Sequence, residues 1–76
     1  MKTQEELDAC AAEQEAKARI LDRYARACYE TAERTNGMLG GPYKAAPYEH
    51  AAATRRRIAA EYRAGYQAPD WYKPRA

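Results

Sequence analysis

The chain has no serine, no phenylalanine and no valine, and only five branched aliphatic residues, Leu7, Ile20, Leu21, Leu39 and Ile58. Each shortage excludes something. Without serine, the common hydroxyl nucleophile is missing, and a single histidine leaves little from which to assemble a nucleophile–base pair. Without bulky aliphatics, a chain of 76 residues has little with which to build a core, because a domain of this size buries a smaller share of its surface than a larger domain does even when well stocked. No apolar run approaches the roughly 20 residues that cross a bilayer, and no charged start followed by an apolar stretch resembles a secretory signal. The expectation is a soluble cytoplasmic protein with no cofactor and no membrane contact.

What the chain does have is alanine, at 18 positions, and seven tyrosines. Alanine is the strongest helix former, and Glu, Arg, Lys and Gln follow closely, so residues 3–35 favour helix before any packing is considered. Disorder would require a larger charge imbalance than the net +2 found here. Thr3 and Glu6 have the spacing of a capping box, with Glu5, Glu6 and Asp8 at the positive end of the helix dipole. Asn36-Gly37 supplies the stop. Four pairs place an acid four residues before a base: Glu13 and Lys17, Glu15 and Arg19, Asp22 and Arg26, Glu30 and Arg34. Each supports the helix by about 0.2–0.5 kcal/mol.

An inward stripe runs along this first helix in alternating steps of four and three: Leu7, Ala11, Gln14, Ala18, Leu21, Ala25, Cys28 and Ala32. Residues 36–46 are rich in glycine and proline and read as a reversing loop. Pro47 suits the first position of a second helix over residues 47–65, with Gly65 near its end and Pro69 beyond it. Its apolar sector collects Tyr48, Ala51, Ala52, Ile58, Ala59, Tyr62 and Tyr66 around Arg55. Residues 66–76 read as an extended tail. The predicted architecture is all-α: one domain, a helical hairpin of one long and one shorter helix. On these lengths the stripe outruns the second helix, and Leu7, Ala11, Ala18, Leu21, Ala25 and Cys28 are candidates for self-association into a homodimer.

Cys10 and Cys28 lie about 27 Å apart on one helix, too far for an intrachain disulfide. Buried thiols in a reducing compartment are the simpler reading. With His50 they make three soft ligands and no pair at zinc spacing, so no metal site is expected. Together with the missing serine, this points to a protein that is not an enzyme.

Charge is uneven along the chain: residues 1–43 hold six basic and eight acidic side chains, and residues 44–76 hold seven and three. Arg55, Arg56, Arg57 and Arg63 either form a phosphate-contacting ridge or belong to an ordinary solvated face. A guanidinium at Arg55, inside the apolar sector, must meet an acid of the first helix, reach outward, or await a partner's anion. Tyrosine without phenylalanine suits surfaces that are buried in one state and wet in another, and interfaces favour Tyr, Trp and Arg. The candidate partner-binding residues are therefore Arg55, Arg56, Arg63, Tyr62, Tyr66, Trp71 and Tyr72. Trp71 has a second reading, as a cap on a thin core.

The stretch from Pro47-Tyr48 to Tyr62-Arg63-Ala64-Gly65-Tyr66-Gln67-Ala68 resembles the ribosome modulation factor family, whose members are short two-helix bacterial proteins with a Pro-Tyr and an aromatic-x-x-Gly-aromatic segment on the second helix. The similarity covers under a third of the chain. It implies ribosome binding, with an RNA-rich site touched by Arg55, Arg56, Arg57 and Arg63. The leading functional expectation is a small binding protein that modulates or inhibits a larger bacterial protein machine, of the kind bacteriophages encode. Ribosome or RNA binding through the basic second helix is the alternative.

Overall fold

A computed structural model describes residues 1–67. They form a hairpin of two antiparallel helices, α1 (Gln4–Arg34) and α2 (Pro42–Arg63). Trp71 and Tyr72, and the expectation of an extended tail beyond Gln67, lie outside the described residues.

The ends of both helices follow from a few side chains. Thr3 caps α1: its Oγ1 accepts from the Glu6 amide at 3.2 Å and its own amide donates to Glu6 Oε1 at 2.9 Å, the reciprocal box expected from the spacing. At the other end Asn36 sits in the left-handed region (φ 52°), and the Gly37 amide reaches back to the Ala32 carbonyl at 2.7 Å. This is a Schellman stop. The C-terminus of α2 repeats it, with Gly65 left-handed (φ 92°) and the Tyr66 amide on the Glu61 carbonyl at 3.0 Å. The Gln4 side chain donates to the Tyr62 and Arg63 carbonyls, tying the start of α1 to the end of α2.

The second helix starts five residues earlier than predicted, at Pro42 rather than Pro47. Both prolines satisfy the requirement of a first helical position, which needs no amide proton. Gly41 decides between them. Its φ of 88° with ψ of −171° breaks the chain direction in a region open only to glycine, and its amide donates to the Cys28 carbonyl at 2.9 Å. Pro47 is carried inside α2 on its exposed side, where it leaves the Tyr43 carbonyl without a helical donor.

The longer α2 covers the stripe of α1 from end to end. Leu7, Ala11, Gln14, Ala18 and Ala25 are buried, and Leu21, Cys28 and Ala32 are half-buried. Facing them are Ala45, Ala52, Ile58 and Ala59. The alanines recur every seven residues on both helices, at 11, 18 and 25 and at 45, 52 and 59, the pattern of a two-stranded seam. Small side chains at those positions let the backbones approach closely. Interdigitation over a long, thin contact thereby replaces the missing bulky core. Of the residues offered for self-association, Leu7, Ala11, Ala18 and Ala25 lie under α2 and are between 0 and 6% exposed, while Leu21 and Cys28 keep part of their surface open.

Candidate functional site

A ladder of polar contacts locks one flank of the hairpin. Tyr29 Oη donates to Glu49 Oε1 at 3.1 Å, Arg56 donates from both terminal nitrogens to Asp22, and Arg63 grips Glu15 through Nε at 3.3 Å and Nη2 at 2.6 Å. Steps of seven down α1 meet steps of seven up α2, as an antiparallel heptad register requires. Arg63 also lies 3.9 Å from Asp8. The bidentate arginines hold the Glu15 and Asp22 carboxyls below their ordinary pKa values, chiefly through these hydrogen bonds. The Glu49 carboxylate raises the pKa of the Tyr29 phenol by accepting its proton in a hydrogen bond. Of the four predicted pairs within α1, Glu13 and Lys17 form one at 3.3 Å. Glu15 and Asp22 are taken by α2 instead, and Arg34 donates to Thr31 Oγ1.

Arg55 is answered by an amide rather than an acid. Its Nη1 donates to Gln14 Oε1 at 2.8 Å, while its buried Nε has no partner. Arg55, Arg56 and Arg63 thus face α1, and their contacts are within the chain. Tyr62 is half-buried and Tyr66 partly exposed at the open end of the hairpin.

Much of the exposed apolar surface lies at the opposite end, around the loop. The Gly40-Gly41 reversal delivers Pro42 as the first residue of α2, and the helical phase that follows turns Tyr43, Pro47 and His50 outward. Met38 is 85% exposed, Leu39 63% and Tyr43 86%. Tyr24 of α1 and Tyr48 of α2 pack ring against ring, centroids 5.6 Å apart and planes tilted by 41°, yet both stay partly open. Beside that pair lies a shallow hollow of about 410 Å³ lined by Tyr24, Ala27, Cys28, Thr31, Lys44 and Tyr48. A second, of about 560 Å³, is lined by Tyr43, Lys44, Ala46, Pro47 and His50. Among the described residues no acidic side chain lines either.

Sequence reasoning missed this surface. Its signal was Gly40-Gly41-Pro42, which as a helix start fixes the phase of Tyr43 and Pro47. It also missed a basic cluster on α1, where Arg19, Arg23 and Arg26 line a hollow around Asp22 with no ion pairs of their own among the described residues. Among those residues no three His, Cys, Asp or Glu side chains gather closely enough to hold a metal ion, and no helix is long and apolar enough to cross a membrane.

No protein-family model matches the chain, and neither does any curated protein or solved structure.

Proposed function

We propose that this chain is a small non-enzymatic binding protein that docks on a larger protein and modulates or inhibits it, with the loop end as its contact surface. One observation carries the reading: Met38, Leu39 and Tyr43, with the Tyr24–Tyr48 pair beside them, place much of the molecule's exposed large apolar surface at one end of a thin rod. Contiguous apolar patches rimmed by polar groups mark interaction sites more often than isolated exposed residues do. Tyrosine and methionine suit such contacts, the first through rigid amphipathic bulk and the second through adaptability. The lack of serine and the single exposed histidine support a non-enzymatic role.

A second reading is ribosome or RNA binding, as the family resemblance implies. Of the arginines it draws on, Arg57 alone makes no hydrogen bond or ion pair with α1 among the described residues, and Arg19, Arg23 and Arg26 supply three further guanidinium groups without an ion pair among those residues.

Pull-down from a bacterial lysate with and without nuclease separates the two. The protein-binding reading expects retained proteins that survive nuclease and are lost with a Leu39→Ala/Tyr43→Ala variant. Release by nuclease, with loss in an Arg19→Ala/Arg23→Ala/Arg26→Ala variant and none in the loop-end variant, would replace it with RNA binding.

A further inference from the structure

We infer that the loop end takes an acidic apolar segment of a partner protein, one in which a carboxylate stands between two apolar side chains. This rests on the protein-binding reading of the same surface and specifies its occupant. Lys44 is the one side chain that lines both hollows, with Tyr24 and Tyr48 on one side and Tyr43 and Pro47 on the other. Among the described residues the Lys44 side chain is exposed, makes no hydrogen bond or ion pair, and meets no acid in the lining of either hollow that could neutralise it.

That arrangement selects among occupants. The aliphatic stem of Lys44 extends the apolar surface while its ammonium stays in water. When apolar side chains fill the two hollows, water is displaced from around the ammonium, which is costly unless the incoming segment supplies a counter-charge. A neutral apolar segment leaves the cation unpaired, and a basic one is repelled. Both hollows fall within the range of about 300–1,000 Å³ common for binding clefts. A nucleic-acid backbone would bring the anion but little to fill two apolar hollows flanking a single cation, so a peptide is the better fit.

Selection of a random 12-residue peptide library against the immobilised full chain tests this. Enriched sequences should carry Asp or Glu with an apolar or aromatic residue on each side. A synthetic peptide of the consensus should bind Lys44→Glu about tenfold or more weakly than the original chain. Changing its acid to lysine should restore part of the binding to Lys44→Glu. Tyr48→Ala should also weaken it, with the helical circular dichroism of every variant unchanged. A consensus without an acid, or tight binding that ignores Lys44→Glu but falls with Tyr43→Ala and Tyr48→Ala, would overturn the acidic occupant and leave protein binding standing. Peptides that bind all three variants like the original, or no enrichment at all, would overturn both.

Discussion

Gln14 accepts a hydrogen bond from Arg55 at 2.8 Å across the helix interface, in the middle of a seam otherwise lined mainly by alanine. Gln14 is only 7% exposed, so its amide has exchanged water for this contact. A half-buried guanidinium with one buried, unpartnered nitrogen depends on that acceptor. Gln14→Leu should therefore destabilise the hairpin by about 1–3 kcal/mol in urea titration, and adding Arg55→Leu should recover most of the loss, because removing both polar partners costs less than orphaning one. Equal stability of Gln14→Leu and the original chain would show that the contact contributes nothing.

Much of this fold is legible in the sequence, for local reasons. The Thr3–Glu6 box, the Asn36-Gly37 stop and the alanine-rich heptads act within a turn or two, where residue type alone determines the outcome. What remained hidden depends on register. Pro42 and Pro47 are equally acceptable first residues, and only the contact of Gly41 with Cys28 chooses between them. That choice then sets which side of α2 carries Tyr43 and whether Arg56 reaches Asp22. The i, i+4 rule assigned Glu15 to Arg19 and Asp22 to Arg26. The cross-helix arginines prevail because each can present two donors to one carboxylate.

The heptad alanines should resist enlargement. Ala11, Ala18 and Ala52 are at most 1% exposed, so Ala18→Leu must push the helices apart or force strained rotamers, a cost of about 1–3 kcal/mol or more. Ala12→Leu and Ala53→Leu, on the exposed faces, should stay within about 0.5 kcal/mol of the original. Thermal unfolding followed by circular dichroism compares them directly. A tolerated Ala18→Leu would mean that the seam is looser than its burial indicates.

Stability should fall on both sides of neutral pH. Folding lowers the pKa of Glu15 and Asp22 through their arginines, and of Glu6 through the Thr3 amide. In these cases the unfolded chain binds protons more readily, so the stabilisation is present above the unfolded pKa and is lost as pH drops through the lower folded value, from about pH 5 towards pH 3. Tyr29 has the opposite sign: folding raises its pKa, so its contribution holds at neutral pH and declines above about pH 10. Since these groups are exposed, the acid limb should flatten in molar salt. Melting temperatures measured from pH 3 to 11 that do not change would remove the ladder from the account of stability.

Gly37 and Gly40 of the loop should respond differently to substitution. Gly37 and Gly40 both have positive φ, 82° and 74°, so alanine strains the backbone at either, by about 1 kcal/mol. Around Gly37 there is nothing within 4 Å for an added methyl group to meet. At Gly40 the same carbon would stand 2.3 Å from the Cys28 carbonyl oxygen, a backbone atom that also accepts the Gly41 amide. Relieving that overlap requires moving the start of α2 away from α1, which breaks the Gly41 hydrogen bond and disturbs the Tyr24–Tyr48 pair one turn further along. Gly37→Ala should lose about 1 kcal/mol and keep its partner affinity, whereas Gly40→Ala should lose clearly more and weaken any binding that uses the hollow beside Tyr48. Urea titration of both variants, alongside the peptide assay, measures the two effects separately. Similar losses in both would show that the loop can shift without carrying α2 with it.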